Sequence, residues 1–349
     1  MKKLSFSLAV LVAAFAIFML IFPNECRTGA IEGLLLCGKV VIPTLFPFIF
    51  CVIFISNSGI FDRFIFLQSI TIILFGLTAK EFSIMLLSLI GGYPTGAKLI
   101  DQYKKEVSIP DKKANTMLCF CTNGGPAFII TAVGAGILGS KNIGWLLLFA
   151  HITASVTIAF LHRKISKQSL MPTKSITSSI SVADNLVNSA AESASAVFSV
   201  CCYVILFSVI RVFFEYISEF LPFIKHITPL LEITTAVSYS KNLYHIAFLL
   251  GFSGLCICCQ VAGLIKNFKL SFSHFITARV LHGLLSMLIL YILLKVFKVS
   301  IPTISNNVPF SFAVSYKDIT LTVSLFMLGI LFIISTFNKN AGKSKKNMI

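Results

Sequence analysis

Residues Leu87–Lys105 read LSLIGGYPTGAKLIDQYKK, directly after an apolar run from Phe82 to Leu86. Glycines at 91, 92 and 96 and a Tyr93–Pro94 step interrupt what otherwise reads as membrane-buried helix. The stretch from Phe82 to Ile90 is about 14 Å of helix, roughly half the hydrocarbon thickness of a bilayer. The break therefore falls near the midplane, where freed backbone groups persist only if protein or a water-filled cavity shelters them. Three readings fit. The first lays Phe64–Ala79 along the interface and folds the following segment into a re-entrant hairpin. The second makes Phe64–Ala79 and Phe82–Lys98 a pair of spanning helices. The third is one kinked helix, since Gly and Pro are tolerated in spanning segments.

Outward from this point the chain is apolar almost throughout. Of 349 residues, 56% are hydrophobic and 12% charged, about half the charged fraction of a soluble domain. Runs of apolar residues long enough to span predict crossings at Leu4–Phe22, Leu34–Ser56, Ala114–Leu138, Ile143–Leu161, Ala194–Phe214, Leu243–Ile265, His274–Lys295 and Ile319–Phe337, about eight in all. The fold class expected is an all-α polytopic membrane protein. The N-terminal run resembles a secretion signal but is longer than usual and lacks an A-x-A site, so it reads as a retained helix.

The 29 Lys+Arg against 13 Asp+Glu give a net charge of +16. The cations sit in short loops and tails: Lys2 and Lys3, Lys104 to Lys113, Arg163 to Lys174, Lys266 and Lys269, and Lys339 to Lys346. That distribution obeys the positive-inside rule with both termini cytoplasmic. Without aromatic residues interleaved on a basic surface, nucleic acid is not an expected partner. The ten cysteines lie mostly in apolar runs without zinc-type C-x-x-C spacing, and packing is their expected role.

Two parts of the chain share an order of segments. CTNGGPAFIITAVGAGILGSKN from Cys121 and GFSGLCICCQVAGLIKNFKLS from Gly251 each precede a helix with a central histidine, His151 or His282. Before them come LIGGYPTGAKL and LLEITTAVSYS, and before those Leu34–Ser56 and Ala194–Phe214. The expected division is an N-terminal helix at 1–29 and a first repeat at 30–165 with its hairpin at 82–100. A cytoplasmic linker at 166–192 leads to a second repeat at 193–298 with a hairpin around 227–241, and 299–349 holds an outer loop, final helix and basic tail. Three crossings per unit make the second unit inverted relative to the first. Inverted-topology repeats with broken helices meeting at the midplane are a secondary-transporter architecture.

The blocks GGYPTGAKL, CTNGGPAFIITAVGAGILG and LLEITTA resemble the signature segments of YlbJ-type sporulation integral membrane proteins. Those are placed in the Gate, or nucleoside-recognition, superfamily, akin to concentrative nucleoside transporters. The resemblance covers roughly residues 30–298 and rests on three ordered motifs. It implies transport of dipicolinic acid into the forespore across the outer forespore membrane. Two departures stand out: Gly124 where serine is expected, and Ala236 where glycine is expected. The second bears on substrate specificity.

Glu232 is the most informative single residue. A carboxylate at membrane depth costs about 2.5–3.5 kcal/mol on insertion scales, so it faces a cavity or partner. It suits a coupling proton or sodium ion, or a hydrogen bond to substrate; solvation in the outer interface is the other reading. Thr95, Thr234, Thr235, Asn123 and Ser253 offer uncharged hydrogen-bond groups beside the breaks. Gly92, Gly96, Gly124 and Gly125 let backbone approach a ligand, and Tyr93 and Pro94 form the bend itself. Taken singly, small residues of this kind more often serve helix packing. Lys39, Lys98 and Arg279 each allow an anion partner or a snorkelling cation. Arg211 and Glu215, at i,i+4, are expected to pair, and His151 and His282 to be packing histidines rather than proton relays.

The reading reached is a non-enzymatic carrier of a small solute, resident in a lipid bilayer, without a bound cofactor and with a homo-oligomer left open. Nucleosides or another small metabolite are the alternative cargo. From other classes come a non-transporting sporulation assembly protein and a rhomboid-like protease, the latter because GFSG at Gly251–Gly254 carries a G-x-S-G motif with His282 on the next helix.

Overall fold

Pro43 sets the shape of the first long helix. It has no N–H to donate and displaces the carbonyl one turn back, so the helix widens just before it. In the computed structural model, which describes residues 2–58, 60, 66, 68–165, 181–240 and 242–297, α2 (Pro23–Leu36) passes through a π-helical turn at Cys37–Val41 into α3 (Ile42–Asn57). The Thr44 hydroxyl donates to the Val40 carbonyl at 2.6 Å, within the widened turn. α1 (Lys2–Ile21) precedes this rod. Its Phe18 meets Phe213 edge to face, and Phe22 just after it packs tilted against Tyr216, near the far end of α9 (Val182–Phe220).

The remaining described elements are α4 (Gln68–Phe75), α5 (Ala79–Gly91), α6 (Tyr93–Val107), α7 (Asp111–Cys121), a π-helical segment Ala127–Ile137 and α8 (Lys141–Ile165). After α9 come 3-10 turns at Pro222–His226 and Thr228–Leu230, then α10 (Ile233–Tyr239), α11 (Leu243–Phe252), α12 (Gly254–Leu264) and α13 (Phe272–Phe297). Among the described residues, five helices are long and apolar enough to cross a membrane: Pro23–Asn57, Lys141–Arg163, Val182–Phe220, Leu243–Leu264 and Phe272–Phe297. They contain the expected crossings at Leu34–Ser56, Ile143–Leu161, Ala194–Phe214, Leu243–Ile265 and His274–Lys295, apart from one terminal residue. The bent pair α4–α5, with 72° between its arms, makes a sixth if counted as one span. The chain is thus a multi-pass, all-helical membrane protein among its described residues. The expected crossing Ile319–Phe337 and most of the linker 166–192 lie outside them.

The expected crossing Ala114–Leu138 is not one helix. α7 stops at Cys121, and Thr122 to Gly125 run without helical hydrogen bonding before the π-helical segment. Pro126 offers no N–H, and the two glycines ahead of it hold no side-chain contacts that would favour helix. The paired-crossing reading of Phe64–Ala79 also meets a difficulty. α4 has eight residues, about 12 Å of helix, too short to span.

Packing divides mainly into two clusters, with a small third one at Phe18, Cys26 and Val209. One core joins α5 to α8 with α10 to α13, and the other joins α2, α3 and α9. Gly29 and Gly33, four apart on α2, face α9 so closely that added Cβ atoms would lie 2.7 Å from Val212 and 2.9 Å from the Ile205 backbone. This is close approach by small residues, the usual route to helix association in lipid. At 39 residues α9 is about 58 Å long, nearly twice the hydrocarbon thickness. Its first turns are capped by Ser181, whose hydroxyl accepts from the Asp184 amide at 3.1 Å.

One end of the bundle gathers the basic loops. Glu81, in a capping box with Thr78, pairs with Lys113 at 2.5 Å, and Lys104 pairs with Asp111 at 2.9 Å. Asp101 accepts from the amides of Lys266 and Asn267, and Asn115 bonds the backbone of Lys269 and Ser271. These contacts clasp the loop after α12 to α6 and α7.

Candidate functional site

The backbone doubles back at Gly92, which adopts φ 88° and ψ 178°, a conformation open to glycine and strained for other residues. Thr95 closes the turn, its amide donating to the Gly92 carbonyl at 3.1 Å and its hydroxyl to the Gly91 carbonyl at 2.8 Å. A Cβ on Gly96 would lie 3.0 Å from that of Ser88, eight residues earlier. In a continuous helix those positions are about 12 Å apart, so α5 and α6 form a hairpin. Both of its outer ends lie at the basic end of the bundle, where Glu81 meets Lys113.

The hairpin tip meets the interruption after α7. A Cβ on Gly96 would fall 1.7 Å from the Cys121 carbonyl oxygen, and one on Gly125 would fall 3.2 Å from the Gly92 Cα. Ending α7 here strands its last carbonyls in a buried layer, and side chains satisfy them one by one. Thr122 Oγ1 donates to the Leu118 carbonyl at 3.0 Å; Ser155 Oγ and Asn123 Nδ2 donate to the Phe120 carbonyl at 2.7 and 2.8 Å. The Arg279 guanidinium donates to the carbonyls of Cys119 and Thr122. A cation there also complements the negative end of the α7 dipole.

Arg279 is fully buried at 0% exposure and has no carboxylate partner among the described residues. It rests over the Phe275 ring at 5.6 Å, and its Nε has no hydrogen-bond partner. Snorkelling, one of the two readings open to it, is excluded by this burial. Around it stand His151 and His282, ring centroids 4.4 Å apart. The Gly124 amide donates to His151 Nε2 at 2.9 Å, which assigns the His151 proton to Nδ1. His282 Nε2 donates to the His151 carbonyl at 3.0 Å, which leaves its Nδ1 as an acceptor. Both Nδ1 atoms, with Asn123 Oδ1 and Ser286 Oγ, lack partners among the described residues. A fully buried layer that holds unspent donors on Arg279 and His151 beside unspent acceptors is unusual for pure packing.

A second junction repeats this theme. Ser253 and Gly254 both take positive φ, 71° and 80°, and separate α11 from α12. The turn at Leu231–Glu232 passes against them: the Cys256 amide donates to the Leu231 carbonyl at 2.9 Å. Glu232, 3% exposed, accepts from the Thr234 amide at 2.9 Å and neighbours the thiols of Cys37 and Cys256. Solvation at the outer interface does not describe it. Tyr93 links the junctions, its hydroxyl donating to the Leu250 carbonyl at 2.8 Å.

Of the residues expected at a site, Gly92, Tyr93, Pro94, Thr95, Gly96, Asn123, Gly124 and Gly125 converge on the first junction. Glu232, Thr234 and Ser253 lie at the second. Thr235 belongs to α10, and its side chain lies outside the described residues. Lys98 does not simply snorkel; it pairs with Glu192 at 3.0 Å. Arg211 pairs with Glu215 at 2.5 Å as expected and also with Glu32. Ser253 Oγ donates to the Phe252 carbonyl at 2.5 Å, so no Ser253–His282 dyad is formed. Sequence reasoning left Arg279 undecided and passed over Ser88, Ser155 and Ser286. The available signal was Arg279 three residues before His282 on an otherwise apolar helix.

The chain is 24% identical over 338 residues to the sporulation integral membrane protein YlbJ of Bacillus subtilis (strain 168), spanning 82% of this chain and 83% of that protein. The similarity agrees with the motif resemblance and extends over most of both chains. No family model matches the chain, and no solved structure matches it.

Proposed function

We propose that this protein is a membrane transporter or facilitator for a small anionic solute. The observation that carries this reading is Arg279, a buried cation among broken helices with no carboxylate partner among the described residues. Leaving a charge unpaired at membrane depth is costly, and such residues mark solute or ion pathways. The positive charge, the unspent His151 donor and the hairpin backbone favour an anion, and a flat dianion suits the guanidinium best. Dipicolinate, which the resemblance implies, has that chemistry, and similarity to a sporulation membrane protein fits the setting of forespore filling.

The order of elements supports two inverted repeats. A long helix, a short interfacial piece, a turn that doubles back, an interrupted helix and a final helix occur in each half: α2–α3, α4, α5–α6, α7 with its π-helical partner, and α8, then α9, the first 3-10 turn, Thr228–Tyr239, α11–α12 and α13. With the basic loops cytoplasmic, the two junctions approach from opposite sides. Glu232 then stands as the site for a coupling proton or cation.

Uptake of dipicolinate into liposomes carrying the purified chain, with nucleosides as competitors, tests this. Saturable uptake inhibited by other small dicarboxylates and indifferent to nucleosides is expected. Competition by nucleosides instead would assign the nucleoside alternative. Uptake of neither, with failed spore assembly on deletion, would assign the assembly role.

A further inference from the structure

At the basic end of the same bundle, three side chains from three helices converge. Cys119 on α7, His162 on α8 and His274 on α13 place one donor atom each within 4.8 Å of one another. We propose that these residues form a thiolate–imidazole site for a borderline divalent ion of the zinc class, with water completing a four-coordinate shell.

The donor set fits that chemistry. Zn–S of about 2.3 Å and Zn–N of about 2.0–2.1 Å in a tetrahedron put donor atoms about 3.5 Å apart. Closing from the observed spacing takes roughly an ångström of side-chain movement, which the two imidazoles can supply. His162 is half-buried and His274 exposed, whereas Cys119 is buried. The imidazoles meet edge to face with centroids 5.7 Å apart. Neither hydrogen-bonds to another protein group among the described residues, so their ring nitrogens are uncommitted. Cys119 Sγ makes one weak bond, to the Asn115 carbonyl at 3.3 Å, which a metal would displace. One sulfur and two imidazoles select zinc over magnesium or calcium, which require oxygen ligands. The thiol proton leaves to solvent on binding, and the Arg279 guanidinium, bonded to the Cys119 carbonyl, supplies a nearby positive charge. Exposure of His274 gives the ion an entry path and keeps the fourth position open to water.

Such an ion would staple together α7, α8 and α13. The last two carry His151 and Arg279, and α7 ends at Cys121, in the candidate binding layer. Occupancy would therefore restrain the elements that a transport cycle has to move. The binding claim does not rest on the transport reading.

The test is a titration of the chelator-treated, full-length protein in detergent, purified through a non-histidine tag, with Co²⁺ as probe and Zn²⁺ as competitor. Expected are one equivalent bound, the visible absorption of tetrahedral cobalt, a thiolate-to-cobalt charge-transfer band, and bleaching by Zn²⁺. Cys119→Ser removes the charge-transfer band. His274→Gln, at an exposed position that does not threaten folding, weakens binding by more than about 10-fold, since even second-shell changes cost that much. Replacing the exposed Cys51 and Cys202 leaves the spectrum unchanged. Wild-type protein gains thermal stability from Zn²⁺ and His274→Gln does not. An octahedral spectrum without charge transfer, or stoichiometry and affinity unchanged in both Cys119→Ser and His274→Gln, overturns the proposal.

Discussion

Gly96 lies so near the end of α7 that any side chain there requires the backbone to move, since its Cβ would sit 1.7 Å from the Cys121 carbonyl oxygen. Gly96→Ala should therefore destabilise the protein by about 1–3 kcal/mol, the usual scale of overpacking. A thermal midpoint in detergent measures this; an unchanged midpoint would mean the hairpin does not contact α7. The neighbouring bond from Tyr93 to the Leu250 carbonyl is a different case. Tyr93→Phe removes a donor while keeping the ring, and leaves one buried carbonyl unmet at a cost of about 1–3 kcal/mol. At this scale the glycines were readable from sequence, because a helix-breaking pair inside an apolar run has few explanations. Arg279 was not, because a lone cation on a spanning helix reads as snorkelling until its depth is known. Only the three-dimensional position of Cys119 and Thr122, far away in the chain, decides between the two.

The hairpin α5–α6 and the clasp beside it make testable units. Single cysteines at Lys80 and Lys105, in a protein freed of Cys51 and Cys202, should both react with an impermeant thiol reagent from the same side of sealed vesicles. Labelling from opposite sides would restore a spanning helix. The clasp responds to acid. The Lys104 ammonium, foremost, and the Lys269 amide hold the exposed Asp111 carboxyl below its ordinary value. A depressed carboxyl contributes stability above its unfolded value, about 3.9, and loses it as pH falls through the folded one. Asp111→Asn should thus lower the thermal midpoint slightly near neutrality, and the two proteins should converge below the aspartate range. Equal midpoints at all pH values would show that the clasp carries no stability. The helices themselves were legible from apolar run length. The interruption after α7 was not, because AFIITAVGAGIL continues the hydrophobic run and only backbone satisfaction reveals the gap.

Across the whole molecule, each junction sets a doubled-back turn against an interrupted helix, and the Tyr93 hydroxyl joins them. The shared order of motifs was visible in the sequence because a glycine-bearing break followed by a helix with a central histidine, His151 or His282, recurs in the two halves. The unequal size of the turns was not: α5–α6 is a full hairpin, whereas its counterpart shrinks to a 3-10 turn and the short α10. In that smaller turn Glu232 combines a structural and a chemical part. Its Oε1 accepts from the Thr234 amide, and the buried side chain neighbours the Cys37 and Cys256 thiols. Glu232→Gln separates the two parts. The amide oxygen can still accept from Thr234, so the fold should survive with a midpoint change equivalent to about 1 kcal/mol or less. The amide cannot take up a proton or balance a cation, so uptake driven by an ion gradient should fall at least about tenfold, a coupling of roughly 1.4 kcal/mol or more. Solute exchange without a gradient should be far less affected, because Arg279 remains in place. Normal gradient-driven uptake by Glu232→Gln at every pH would leave the carboxylate as a helix cap alone, and coupling would then have to reside with the paired histidines of α8 and α13.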